Sequence, residues 1–271
     1  MRKACVAAKS AGNTLGFVPT MGALHEGHIS LVRAAKKQCD VVAVSIFVNP
    51  AQFGPNEDLA KYPRRLEEDS KMLLAEGVDL LFTPSSEEMY PAGATTFVDV
   101  DGMSERLCGK SRPGHFRGVA TVVNKLFNII QPDVAFFGQK DAAQCAVIKR
   151  MVRDLDMTVK IKVCPVVREP DGLAMSSRNA YLSPLERNNA LVLSRALQEI
   201  QRHYQNGEHE SAKLINEARK TFATQPAVQL EYVEVVDAES LDPLQTADPG
   251  ALVAIAARVG GTRLIDNILL N

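Results

Sequence analysis

The sequence predicts an α/β fold: a mostly parallel sheet with helices on both faces over residues 1–167, then a smaller C-terminal α+β lid domain with an antiparallel sheet over 168–271. Three observations predict it. Short apolar runs alternate with helical patterns from residue 14 to about 163, the pattern of parallel strands joined by crossover helices. One of those runs, Val41–Phe47, is apolar with almost no alternation, as a strand covered on both faces requires. Beyond Val167 the pattern changes to two helices followed by alternating strands.

In chain order, the strand candidates of the first part are Leu15–Val18, Val41–Phe47, Asp79–Phe82, Phe97–Val100, Val134–Phe137 and Val159–Val163. Amphipathic helices are expected over Ile29–Gln38, Leu66–Glu76, Val119–Ile130 and Ala142–Asp154. In the second part, Ser183-Pro184-Leu185-Glu186 has an N-cap serine, a proline in the first turn and a capping-box glutamate. Leu193, Leu197, Ile200 and Tyr204 then recur at helical spacing. A second helix is expected over roughly Ser211–Phe222. Val228, Leu230 and Tyr232 alternate as a strand, and Gly260-Gly261 joins Ala251–Val259 to Thr262–Leu270 as a hairpin.

A chain of 271 residues can bury a full core. Its net charge of -1 lacks the basic surplus of a nucleic-acid binder. No apolar run approaches the roughly 18 residues of a membrane helix, and no signal-peptide core opens the chain. The five cysteines, Cys5, Cys39, Cys108, Cys145 and Cys164, show no C-x-x-C spacing and read as reduced core thiols. A soluble cytoplasmic protein is expected.

The stretch with most chemistry is Pro19-Thr20-Met21-Gly22-Ala23-Leu24-His25-Glu26-Gly27-His28, a turn between a strand and a helix. It places His28 near a helix N-terminus, where unpaired N–H groups and the helix dipole favour phosphate. After the second strand, Asn49 and Gln52 in Val48-Asn49-Pro50-Ala51-Gln52 each offer a donor and an acceptor, suited to a small hydroxy acid; a plain Asn-Pro turn is the alternative. Gly138-Gln139-Lys140-Asp141 precedes a helix that carries Gln144 in its first turn, a setting in which Lys140 suits phosphate. Met175-Ser176-Ser177-Arg178-Asn179 offers two hydroxyls and a guanidinium on a loop able to close around a polyphosphate. The acids Glu67, Glu68 and Asp69 are either Mg²⁺ ligands or a solvated helix face. His115 and Arg117 sit on a glycine-containing loop and could help close the site.

Taken together and in this order, the four motifs, Pro19–His28, Phe47–Phe53, Phe137–Asp141 and Met175–Asn179, resemble the pantoate–β-alanine ligase family across essentially the whole chain. The resemblance implies a Rossmann-like fold of the His-x-x-His nucleotidylyltransferase group, ATP as substrate with Mg²⁺, pantoate and β-alanine as further substrates, and a homodimer. It implies ATP contacts at Met21, Gly22, Ala23, Leu24, His25, Glu26, Gly27, His28, Gly138, Gln139, Lys140, Asp141, Val167, Met175, Ser176, Ser177 and Arg178. Pantoate and β-alanine are then expected at Gln52, Gln144, Asn49 and Met21, with catalysis assisted by His28, His25, Lys140 and Arg178, and with Asp69 or Glu68 near the metal. Two departures stand out. The chain begins close to the first motif, where the family carries a further element, which puts the packing beside the first strand in question. Ala143 also precedes Gln144 where two glutamines are usual.

The resemblance competes with three other readings. Another nucleotidylyltransferase fits Asn49, Gln52 and Gln144 less well, and a nucleotide sensor without catalysis has no need to keep His28, Lys140 and Arg178. A zinc hydrolase built on His25 and His28 lacks the His-Glu-x-x-His spacing and an evident third ligand.

Overall fold

The structure is a computed structural model that describes residues 1–55 and 57–271. It forms two compact units, one of residues 1–138 and 147–165, the other of residues 139–146 and 166–271. Residues 139–146 therefore group with the C-terminal part of the chain.

The first unit is built on five parallel strands, β1 (Leu15–Thr20), β2 (Val41–Ile46), β3 (Leu80–Phe82), β4 (Val134–Gly138) and β5 (Lys160–Cys164), in the order β3-β2-β1-β4-β5. Its helices are α1 (Arg2–Ser10), α2 (Glu26–Gln38), α3 (Leu66–Ala75), α4 (Ser86–Met89), α5 (Cys108–Ser111) and α6 (His115–Ile130), and α7 (Ala142–Asp154) runs from the other unit into it. Leu73 of α3 joins Ile29, Val32 and Ala35 of α2 against Val18, Val42, Val44 and Phe136 on one face of the sheet. On the other face Phe127 of α6 meets Phe17 and Phe137 edge-on. Both faces are covered, which is why β2 can be apolar throughout. The strand order reverses between β1 and β4, and the crevice beyond the carboxyl ends of strands at such a switch is where an open α/β sheet binds ligands. The residues that follow those two strands are Met21 and Gln139.

Two departures from expectation concern this unit. Residues 2–10, left unassigned by sequence, form α1, whose Lys9 bonds the Gln131 carbonyl at 3.0 Å and Asp133 at 2.9 Å. The expected strand Phe97–Val100 does not pair with the sheet. Instead Val98 donates its N–H to the Thr121 hydroxyl of α6 at 2.9 Å, and Phe97 lies under the Arg117 guanidinium at 4.2 Å. Two side-chain acceptors, the second being Ser104 Oγ on the Val100 N–H at 3.3 Å, and a cation–π contact hold the segment in place of a ladder.

In the second unit, α8 (Pro184–Gln205) and α9 (Ser211–Ala223) pack on an antiparallel sheet of β6 (Val228–Val236), β7 (Leu252–Val259) and β8 (Thr262–Leu269). The capping box forms as read: Ser183 accepts the Glu186 N–H and Glu186 accepts the Ser183 N–H. Gly260, with φ +55, turns the β7–β8 hairpin. All five cysteines are buried and none is in a disulfide. Among the described residues no helix is long and apolar enough to cross a membrane.

Candidate active site

The Met21–His28 turn is shaped by its own polar groups. His25 caps α2: its Nδ1 accepts the Gly27 N–H at 3.1 Å, while its own N–H donates to His28 Nδ1 at 3.3 Å. The two rings lie 4.1 Å apart. The expectation of unpaired N–H groups at this helix end is therefore revised, because the Gly27 donor is already taken by an imidazole. With an N–H directed at each Nδ1, a neutral ring carries its proton on Nε2, a tautomer assigned from these hydrogen bonds. The pair thus offers Nε2–H donors suited to phosphate oxygen.

Ahead of the histidines, Gly22 and Ala23 both take positive φ, +81 and +49. Asp69, in the first turn of α3 and 2% exposed, accepts the Ala23 and Leu24 N–H groups, one on each carboxylate oxygen, both at 2.8 Å. Asp69, expected near the metal, is thus buried with each carboxylate oxygen bonded to a backbone amide. Glu68 is exposed on the same helix. Among the described residues no cluster of three or more histidines, cysteines and carboxylates could hold a metal ion.

The turn after β2 carries the hydroxy-acid candidates. Gln52 donates from Nε2 to Met21 Sδ at 3.0 Å, which joins this turn to the histidine stretch. Asn49, 1% exposed, donates from Nδ2 to Gln52 Oε1 at 3.0 Å and to the Gly118 carbonyl at 3.1 Å. Its Oδ1 accepts from Ala51 N–H at 3.3 Å and from the Tyr90 hydroxyl at 2.8 Å. A side-chain amide has two donors and two acceptor positions, and here all four are used. The expected substrate contact at Asn49 is corrected to that of a support for Gln52. Burial outweighs the Asn49 bond and pushes the Tyr90 phenol up to about 12, so it remains a donor at neutral pH.

A second support comes from the loop before α6. His115 Nδ1 lies 2.8 Å from the Gln52 carbonyl and Arg112 Nη2 donates to the same oxygen at 3.3 Å. Arg112 also donates from Nε to Glu57 at 2.7 Å. Burial alone would raise the Glu57 carboxyl, but the bond and charge of Arg112 outweigh it and hold the group below its ordinary value. His115 and Arg117, expected on a loop that helps close the site, lie in the first turn of α6, with the Arg117 guanidinium over the Phe97 ring.

In the second unit, the turn Gln139–Asp141 is fastened to β8. Asn267, 3% exposed, donates to the carbonyls of Gln139 and Lys140, both at 2.9 Å. Lys140 Nζ lies 3.5 Å from Asp141 Oδ1, and Gln144 is half-buried in the first turn of α7. The segment at 167–179 folds back on itself, with Met175 N–H donating to Val167 O at 3.0 Å and Glu169 N–H to Leu173 O at 2.8 Å. Arg168 forks onto Asp266, and Asn179 donates to Glu169 at 2.9 Å and to Ala174 O at 3.1 Å. Ser176 caps the turn that carries Ser177 and Arg178 by accepting the Arg178 N–H at 3.3 Å. Asn179 thus cross-links the segment and holds the serine–arginine turn in shape.

The profile of the pantoate-beta-alanine ligase family matches residues 1–269. The chain belongs to that family. Over 270 residues it is 57% identical to the pantothenate synthetase of Koribacter versatilis, a match covering 100% of this chain and 93% of that relative. It is 60% identical over 257 residues to the pantothenate synthetase of Acidobacterium capsulatum, covering 95% and 86% of the two chains. Among solved structures, pantothenate synthetase from Thermus thermophilus superposes with a TM-score of 0.93 at 46% identity, covering 98% of this chain and 97% of that one. A Francisella tularensis pantoate-beta-alanine ligase, solved with beta-gamma ATP and beta-alanine, superposes with a TM-score of 0.79 at 38% identity, covering 98% and 94%.

Sequence reasoning missed three supports: Tyr90, Asn267 and the Arg112–Glu57 pair. Of these only Asn267 had a local signal, a polar residue amid the apolar alternation of a strand.

Proposed function

We propose that the chain joins pantoate to β-alanine with ATP, forming pantoyl adenylate and pyrophosphate and then pantothenate and AMP. The observation that carries this reading is the Gln52–Met21 contact, 3.0 Å long. It puts an amide suited to a small hydroxy acid against the first residue of a phosphate-suited turn, in a member of the ligase family.

A free carboxylate is a poor acyl donor because its leaving group is oxide. In the first step a pantoate carboxylate oxygen forms a bond to the α-phosphorus of ATP as the bond to the pyrophosphate oxygen breaks. In the second, the uncharged amine of β-alanine attacks the acyl carbon, AMP leaves, and the amine gives up a proton. No covalent enzyme intermediate is needed. Catalysis then consists of positioning and of stabilising charge on the transferring group. His25 and His28 supply Nε2–H donors, Lys140 a point charge, and Arg178 with Ser176 and Ser177 a guanidinium and two hydroxyls. Gln52 and Gln144 hold pantoate, and the Met21–His28, Gly138–Asp141, Val167 and Met175 segments line the nucleotide. The donor set supports a Mg²⁺ that arrives with the triphosphate, since such ions take most ligands from phosphate and water; Glu68 is then the carboxylate to meet it.

The reading includes a cytoplasmic setting, supported by five cysteines outside any disulfide, and a homodimer, supported by the family resemblance. The test is pyrophosphate release from ATP with pantoate present or omitted and β-alanine withheld. Release that needs pantoate, followed by pantothenate and AMP when β-alanine is added, is the expected result. Release indifferent to pantoate, or none, overturns the reading.

A further inference from the structure

The unusual feature of the histidine turn is the strain ahead of it. Gly22 and Ala23 are consecutive positive-φ residues, and for Ala23, at φ +49, that conformation is unfavourable because its Cβ crowds the backbone. Such a conformation persists only where its surroundings over-determine it. Here Asp69 is central to those surroundings: it accepts the Ala23 and Leu24 N–H groups at 2.8 Å, one per oxygen, while Gly22 N–H donates to the Thr20 hydroxyl at 3.2 Å. Bonds from amides to an ionised carboxylate are about twice as strong as neutral ones. The carboxylate cannot drift, because Asp69 is 2% exposed and its own N–H is bonded to the Arg65 carbonyl at 2.9 Å. The fit is close on the glycine side as well, where a Cβ on Gly22 would lie 3.0 Å from Asp69 Oδ2.

His25, the next residue after Leu24, is the N-cap of α2 and is bonded to His28. A shift of the Ala23–Leu24 backbone therefore passes directly into the imidazole pair.

We propose that Asp69 is a positioning residue, whose buried carboxylate holds the strained Ala23–Leu24 turn and through it sets His25 and His28. The clamp itself is independent of the ligase reading, and only its kinetic consequence rests on it.

The test compares wild-type protein with Asp69→Asn, which keeps the shape but turns an amide NH₂ toward one of the two backbone N–H groups. Amide hydrogen exchange at Ala23 and Leu24 is followed by NMR on the full chain, alongside pantoate-dependent pyrophosphate release at varied ATP, pantoate and Mg²⁺. In wild type both amides are protected. In the variant their protection falls at least about tenfold and kcat falls about ten- to a hundredfold, the effect of roughly 1 Å of misplacement. KM for ATP and pantoate stays within about threefold, and the Mg²⁺ dependence is unchanged, as expected of a residue that touches neither ligand nor metal.

Unprotected Ala23 and Leu24 amides in wild type overturn the proposal, a result that stands even if the variant does not fold. So do wild-type kcat in a folded Asp69→Asn protein, a defect confined to KM, kcat lost with both amides still protected, or activity recovered at high Mg²⁺. Should wild type release no pyrophosphate with pantoate, the ligase reading fails by itself, and the exchange comparison still decides the clamp.

Discussion

Gly118→Ala tests how rigidly the fold holds the pantoate-side turn. Gly118 lies in the first turn of α6, and a Cβ there would sit 2.2 Å from the Ala51 carbonyl oxygen, 2.5 Å from its carbon and 2.7 Å from Gln52 Cα. All three are backbone atoms of the turn that carries Gln52, so no side chain can swing aside. The opposing pull is the Asn49 bond to the Gly118 carbonyl at 3.1 Å. Ordinary contact begins at 3.4 Å, so helix and turn must part by about 1 Å, a displacement that costs roughly a hundredfold when it moves a substrate-holding group. The stability change is smaller. Overpacking costs about 1–3 kcal/mol, while replacing a helical glycine by alanine returns about 1 kcal/mol. The net, about 0–2 kcal/mol lower, corresponds to a Tm drop of several degrees at most. The assay is pyrophosphate release at varied pantoate, with thermal unfolding as a check and Gly261→Ala as control, since a Cβ on Gly261 meets nothing within 4 Å. Folded Gly118→Ala protein with wild-type pantoate dependence refutes the reasoning, because the turn would then be shown to yield without moving Gln52.

Two further outcomes are expected. Glu57 is held below its ordinary value by Arg112, so its contribution to stability is full above the unfolded-state value and is lost as pH falls through the lower folded one. Glu57→Gln should therefore lower stability near pH 7, with the gap to wild type closing as pH falls below the ordinary carboxyl range; denaturant titrations across pH check this, and a gap that widens in acid contradicts it. Arg168→Ala leaves Asp266, 3% exposed, without its forked partner. Loss of about 3–5 kcal/mol is expected for an unpaired buried charge, read by chemical unfolding. A change below about 1 kcal/mol would mean that the carboxylate finds water or another donor.

Much of the fold was legible because it rests on local pattern. Strand cores, the α8 capping box and the β7–β8 hairpin each follow from residues within a few positions of one another. The failures share a cause. Helix α1 buries only Cys5, so its apolar periodicity is faint, and its anchor, Asp133, lies 124 residues away. The Phe97–Val100 run has strand composition, but its backbone is bonded by Thr121 of α6 and not by a sheet edge, a partner the local pattern does not show.

For the site, the sequence by itself determined which chemical groups are present and on which turns: two histidines after β1, an amide pair after β2, a lysine after β4 and a serine–arginine turn beyond. Only the tertiary structure decided what each polar atom does. Asn49 and Asp69 look in sequence like ligand-binding residues, and folding buries both: Asn49 bonds Gln52, Tyr90 and Gly118, and Asp69 accepts an N–H on each oxygen from the strained Ala23–Leu24 backbone. The physical reason is that a buried polar atom must find a partner, and that partner is brought by chain tens of residues distant, where no local pattern reaches.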